Sequence, residues 1–243
     1  MKKLKAFSTM GTCGLVVAGT LVLGSAPASA ACNVGSPVPS NSYPGTTVVA
    51  TGFEGGSFCP LIRRVGGDGT ATVTTASKRT GSRSAKLHVT SNSGSLANLL
   101  SPTFTSGTKT AYADGWFNIT TAGVTGNNVP YFRFFTGSTR IADIYRYNNN
   151  GQLWLRVRSP SGSFVYTKLI SGSISMNAWH RVAMRVTANG TRSTIQVWFD
   201  GVQRYSSSSV SLPATTLSTV QIGSEHSRQK GDCFIDDVVI KRS

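Results

Sequence analysis

Three short stretches of this 243-residue chain place aromatic and arginine side chains two residues apart. Tyr131, Arg133 and Phe135 form one set. Asp143, Tyr145 and Tyr147 alternate with Arg140, Ala142, Ile144 and Arg146. Trp154, Arg156 and Arg158 form the clearest set, because Leu153, Leu155 and Val157 fill the alternate positions. Side chains alternate across a β-strand, so each set lines one face of a sheet. Such a face stacks sugar rings on its aromatics and pairs anionic groups with guanidinium. The expected ligand-binding residues are therefore Arg133, Tyr145, Arg146, Tyr147, Trp154, Arg156 and Arg158. The same types also fill cores and guard sheet edges, so the pattern defines a candidate face only.

Carboxylates are scarce, nine against 24 lysines and arginines, for a net charge of +15. Three fall at the ends of apolar runs: Glu54 in Thr51-Gly52-Phe53-Glu54, and Asp236 and Asp237 in Phe234-Ile235-Asp236-Asp237-Val238. If these first and last runs pair, the three carboxylates come close and repel. One structural Ca²⁺ would relieve this, since it takes carboxylate and carbonyl oxygens. Salt bridges to Arg63, Arg64 or Lys241 would do so without metal.

Little else suggests catalysis. A glycosidase needs two carboxyl groups flanking the scissile bond. Asp236 and Asp237 are consecutive and should point to opposite faces. Asp143 stands alone in Ile141-Ala142-Asp143-Ile144, and Asp200 belongs to an Asp-Gly turn. The histidines His88, His180 and His226 show no metal-ligand spacing. Neither serine nor histidine shows a local activating arrangement. No glycine-rich phosphate loop is present. No catalytic residue is expected.

The elements that must hold the aromatic face are strands. Val, Ile, Thr, Tyr, Phe and Trp cluster in short runs between Gly, Ser, Asn and Pro. Val182, Met184 and Val186 alternate with polar neighbours, as do Ile195, Val197 and Phe199. Turn signals separate the runs, including Asn149-Asn150-Gly151 and Asp200-Gly201. About a dozen strands and no helix predict an all-β fold, a two-sheet antiparallel β-sandwich, with a closed barrel as the alternative.

The N-terminus predicts export. Lys2, Lys3 and Lys5 precede the apolar run Gly14–Gly24, and Ala28-Ser29-Ala30 is a small-x-small cleavage site. Residues 1–30 are read as a signal peptide, 31–47 as a flexible Ser/Pro/Gly-rich lead-in and 48–243 as the folded domain. Cleavage removes three lysines and leaves a charge of +12 on a secreted protein with no later segment able to span a membrane as a helix. A surface this basic attracts acidic polysaccharides and cell-wall polymers; nucleic acid would bind only non-specifically. Cleavage also removes Cys13. The remaining Cys32, Cys59 and Cys233 are odd in number. Cys59–Cys233 is the favoured disulfide if the first and last strands are neighbours; Cys32–Cys59 and Cys32–Cys233 are the alternatives.

Several motifs resemble a known family. Ala178-Trp179-His180-Arg181-Val182 followed by Gln196-Val197-Trp198-Phe199-Asp200-Gly201 is similar to the core of laminin G-like domains, within the concanavalin A-like lectin/glucanase superfamily. Asn150–Leu155 resembles the strand before that core, and Thr80–Leu87 an early strand. The first and last runs resemble the paired terminal strands of extracellular jelly rolls. The resemblance implies a concanavalin A-like jelly roll over residues 48–243 and a calcium near the terminal strands. It assigns His180 to the structural signature. Glycoside hydrolases of the superfamily carry an E-x-D-x-x-E pattern, which is absent. Its lyases use Tyr or His with Arg, Asn or Gln, but their Gln-Ile-His strand is also absent. The resulting expectation is a non-catalytic carbohydrate-binding module for acidic or wall polysaccharide. A uronate polysaccharide lyase and an adhesive extracellular protein are the alternatives.

Overall fold

The computed structural model describes residues 32–243, so the expected leader lies outside the described residues. The strands in chain order begin with β1 (Thr46–Thr51), β2 (Ile62–Gly66), β3 (Thr70–Thr74), β4 (Ser84–Val89) and β5 (Leu96–Leu100). The middle of the chain forms β6 (Thr110–Thr121), β7 (Asn128–Thr136), β8 (Thr139–Tyr147), β9 (Leu153–Arg158) and β10 (Phe164–Ile170). The last five are β11 (His180–Thr187), β12 (Ser193–Phe199), β13 (Val202–Val210), β14 (Thr219–Ser224) and β15 (Gly231–Arg242). Among the described residues there is no α-helix, only two one-turn 3-10 segments.

The strands build two antiparallel sheets. One has the order β13-β12-β11-β6-β15-β4-β3, with β1 also on β15; the other runs β10-β9-β8-β7-β14-β5-β2. The expected alternation is present. Leu153, Leu155 and Val157 are buried, as are Val182, Met184 and Val186 from the opposite sheet. Apolar faces of two sheets can leave water only against each other, which is what makes the sandwich.

The terminal strands pair as expected, Thr51 with Val238 through Thr46 with Arg242. The disulfide differs: Cys32 bonds Cys59, and Cys233 is a free, buried thiol. The register gives the reason. β1 covers only the C-terminal half of β15, and β4 takes over that edge, setting Leu87 beside Cys233 with Ile119 of β6 on its other side. Cys59 lies beyond the end of β1, away from that edge, where it meets the chain before β1.

That leading segment is docked rather than flexible. Tyr43 stacks on Tyr112, with ring centroids 5.2 Å apart, and tilts against Trp198. Asn41 donates to Asp114, and Lys241 Nζ donates to the Asn41 and Tyr43 carbonyls, each at 2.8 Å. Gly55 N–H donates to the Val34 carbonyl at 3.0 Å. A composition that predicts a linker thus forms a strap, because its few aromatic and amide groups find partners on β6, β12 and β15.

Candidate functional site

The outer face of the β10-to-β2 sheet carries the aromatic and arginine residues. Register decides which of them reach it. Tyr145 pairs with Trp154 and Asp143 with Arg156 across β8 and β9. Tyr166 of β10 lies opposite Arg156. These strands therefore project Asp143, Tyr145, Trp154, Arg156 and Tyr166 to one side. Tyr145, Tyr147, Trp154, Arg156 and Tyr166, with Gly126 and Asn128, line a cleft of about 460 Å³. Tyr147 and Trp154 meet edge to face at 6.3 Å. The indole Nε1–H of Trp154 is buried and has no protein partner.

Two expected assignments change. Arg146 pairs opposite Leu153, whose side chain enters the core, and is itself buried. Its Nε donates to the Ile174 carbonyl at 3.2 Å, so it ties the loop after β10 and does not face the cleft. Tyr131 sits in a register break between Pro130 and Phe132 and packs into the core, its ring 5.0 Å from that of Phe117. The irregularity separates it from Arg133, since a bulge resets the alternation of faces.

Arg133 does belong to the outer side, but underneath it. Only 1% exposed, it donates to Gln221 Oε1 at 2.9 Å, to the Gly223 carbonyl at 2.7 Å and to Gln229 Oε1 at 2.9 Å. Asp143, fully buried, accepts from Arg156 Nε at 2.9 Å and from a second nitrogen of the same guanidinium. Arg140 lies 3.7 Å and Arg133 3.8 Å from its Oδ2. Glu225 lies 3.3 Å from Arg140 and 3.5 Å from Arg133. Three guanidiniums thus share two carboxylates, a local surplus of positive charge beside an aromatic cleft. Arg158 stands farther along, its guanidinium 5.7 Å from the Phe164 ring centroid.

Burial and charge tune these groups. Burial pushes Arg133 down to about 10 despite the raising charges of Glu225 and Asp143. Burial also opposes charge on Arg156, but its bond to Asp143 and that carboxylate's charge outweigh this and hold it up. Burial, partly offset by Arg156, pushes the Tyr145 phenol up, so it stays protonated at neutral pH. Burial and then the Arg133 charge hold His226 below its usual value.

Beyond Glu225 the same face holds a second depression of about 510 Å³, lined by Arg64, Leu100, Phe135, Gln221 and Glu225 among others. Sequence reasoning named Arg140 without assigning it to the site, and missed Tyr166, Gln221, Glu225 and Gln229. Gln221 was within reach of the period-2 rule, because it sits between Val220 and Ile222. Glu225 and Gln229 come from the loop after β14, and no local pattern announces where that loop lands.

The three terminal carboxylates do not converge. Glu54 accepts from the Ser82 and Arg83 amides at 3.0 Å each and from the Ser82 hydroxyl at 2.7 Å. Asp236 Oδ2 accepts from the Arg79 amide at 2.8 Å and the Thr80 amide at 3.2 Å. Asp237 Oδ1 accepts from the Thr80 hydroxyl at 2.7 Å, so each carboxylate holds a different part of the turn before β4; of the alternative salt-bridge partners, Arg63 donates to the Ala71 carbonyl and Lys241 to the strap. Among the described residues no group of three His, Cys, Asp or Glu side chains is placed to hold a metal. Asp236 and Asp237 do not point to opposite faces either. A register break and a left-handed Asp237 (φ 49°) turn both toward Gly52. A Cβ on Gly52 would lie 3.5 Å from Asp237 Oδ1 and 3.6 Å from both Asp236 Oδ1 and the Pro37 carbonyl. Burial, ahead of the Asp237 charge, pushes Asp236 up to about 6.

The two-sheet architecture is shared with solved structures. The endo-β-1,4-glucuronan lyase of the fungus Trichoderma reesei superposes with a TM-score of 0.61 at 14% identity, over 77% of this chain and 93% of that one. The cellulose-induced protein Cip1 gives 0.60 at 17%, over 78% and 94%. The fold is concanavalin A-like. A botulinum neurotoxin C/D mosaic receptor-binding domain shares this concanavalin A-like architecture at a TM-score of 0.50 and 14% identity, over 74% of this chain and 42% of that one. No family model and no curated protein matches the sequence. Identity at this level shows the concanavalin A-like fold, and function has to be argued from the site.

Proposed function

We propose that this is a secreted carbohydrate-binding protein that recognises acidic polysaccharide, and does no chemistry on it, in the cleft of Tyr145, Tyr147, Trp154, Arg156 and Tyr166. The observation that carries this reading is the surplus guanidinium charge of Arg133, Arg140 and Arg156 beside an aromatic wall whose Trp154 Nε1–H has no protein acceptor. Rings of a polymer would stack on the aromatics while a carboxylate or sulfate pairs with the surplus charge. The Cys32–Cys59 disulfide suits an oxidising compartment and supports secretion. Among the described residues no helix is long and apolar enough to cross a membrane.

On an array of neutral and acidic polysaccharides at physiological salt, selective binding to acidic chains is expected. Trp154→Ala combined with Tyr166→Ala should weaken it about 10- to 100-fold, at roughly 1–3 kcal/mol for lost stacking and hydrogen bonding. Equal binding to every polyanion, unchanged in the double variant, would refute the site.

A uronate lyase is the second reading, favoured by one feature: His226 follows Glu225 on the loop beside the arginine cluster, and burial and the Arg133 charge hold its imidazole below its usual pKa. An abstracted proton would need such a base near a neutralised carboxylate. Ultraviolet-absorbing unsaturated products from a polyuronate would establish that reading, and their absence with tight binding retained supports the first.

Calcium belongs to the same proposal. Asp236, Asp237 and the Pro37 carbonyl offer an all-oxygen set facing the bare α-carbon of Gly52, which suits a hard cation. Glu54 would not join it directly. Bound calcium would neutralise the paired aspartates and fix the strap to the end of β1. Calcium is expected to raise the melting temperature, chelator to reverse this, and Asp237→Asn to abolish the response. A melting curve indifferent to both additions would remove calcium from the account.

A further inference from the structure

The His180 side chain, assigned to a structural signature by resemblance, sits between two partners that the sequence leaves far apart. Its Nε2 lies 2.9 Å from the Ser175 hydroxyl, five residues earlier. Its Nδ1 lies 2.8 Å from Asp200 Oδ2, twenty residues later. The absence of any local activating arrangement, read from sequence, therefore does not survive folding: β11 and the β12–β13 turn assemble one.

We propose that Ser175, His180 and Asp200 form a hydrolytic site for short-chain esters, separate from the glycan cleft and independent of its assignment. The serine–histidine–carboxylate order is the one that activates a hydroxyl nucleophile, with the carboxylate on Nδ1 and the hydroxyl on Nε2. Each member is held. Asp200, left-handed at φ 49°, accepts from the Arg181 amide at 2.8 Å through its other oxygen, and its own amide donates to the Arg181 carbonyl. The His180 ring stacks on Phe199 at 5.1 Å. The Ile174 and Asn177 amides donate to the Gly151 and Ile119 carbonyls, which fixes the loop on both sides of Ser175.

The chemistry balances without a cofactor. Ser175 Oγ attacks the ester carbonyl carbon while His180 Nε2 takes the hydroxyl proton. The imidazolium is held by Asp200 and by the Ser175 carbonyl, 3.2 Å from Nε2. Collapse of the adduct breaks the bond to the alcohol oxygen, which takes that proton back and leaves. Water then attacks the acyl-serine, with His180 again accepting the proton, and releases the acid and free Ser175. The Met176 amide, next to the nucleophile, meets no protein acceptor among the described residues and can donate to the developing oxyanion. Ser175 is exposed, and its exposed apolar neighbour is Met176. A nucleophile this exposed suits a small acyl group, of acetyl size, on a bulky alcohol such as a polymer hydroxyl.

The test uses the chain from Ala31 onward, with p-nitrophenyl acetate as substrate and a fluorophosphonate as covalent probe. The expected result is probe attached at Ser175 by peptide mass mapping. Ser175→Ala should lose the label and at least 100-fold in kcat, the scale of a positioned base and nucleophile. Asp200→Asn should lower kcat with KM unchanged, because it misorients His180 without touching substrate. Melting curves of both variants should match the parent. Probe absent from Ser175, or Ser175→Ala hydrolysing as fast as the parent, overturns the proposal and leaves the three residues as a loop fastening.

Discussion

Asp143→Ala is expected to lower the free energy of unfolding by about 3–5 kcal/mol, the cost of stripping a buried ion pair of one partner. The carboxylate is fully buried and held by Nε and one terminal nitrogen of Arg156, with Arg133 and Arg140 also within 4 Å. Removing it leaves three cations facing one another with only Glu225 to balance them. Arg156 cannot shed its proton to escape, because a guanidinium stays charged at any accessible pH. An apolar pair, Asp143→Leu with Arg156→Met, should recover much of the loss, since a matched hydrophobic replacement avoids the desolvation penalty. Urea unfolding of the parent, both single variants and the double variant measures this directly. A loss under 1 kcal/mol for Asp143→Ala would mean that water already reaches the cluster.

Removing the disulfide has the next largest expected effect. Cys32→Ser with Cys59→Ser opens a loop with a sequence separation of 27. In the chain-entropy account this costs about 3–4 kcal/mol. The strap should loosen with it, because its remaining ties are the stack of Tyr43 on Tyr112 and a few polar bonds. The midpoint of urea unfolding should fall, and Trp198, which Tyr43 covers, should shift its fluorescence to the red before the main transition. A single unshifted transition would show that the strap holds by its contacts alone.

How much of this was readable beforehand depended on the range of the interaction. Leu153, Leu155 and Val157 point inward as period-2 alternation requires, and Trp154 and Arg156 point outward for the same reason. The pairing of β1 with β15 was implied by the resemblance of the first and last runs to the paired terminal strands of jelly rolls, and the register agrees. Tyr131 and Arg146 were misplaced for two different reasons. A register break shifts Tyr131 to the other face. Arg146 kept its parity with the core residue Ile144, but its guanidinium found a carbonyl there, at Ile174. The cysteine pairing depended on which strand occupies the edge of β15 beside Cys233, and nothing near either cysteine encodes that β4 does. Asp143 looked solitary because its three arginines come from three strands. The Ser175–His180–Asp200 constellation was invisible because Asp200 arrives from the β12–β13 turn, twenty residues after His180.

The burial of Cys233 bears on how the chain reaches its oxidised form. Burial pushes its thiol up to about 12, so in the finished protein hardly any thiolate exists to attack the Cys32–Cys59 bond. Before folding there is no such protection, and the odd thiol could scramble the pair. Chain order supplies the safeguard: synthesis runs from the N-terminus, so Cys32 and Cys59 emerge together long before the last strand does. A refolding experiment started from the reduced chain of residues 31–243 lacks that timing. It should accumulate mispaired species through Cys233, and Cys233→Ala should raise the native yield.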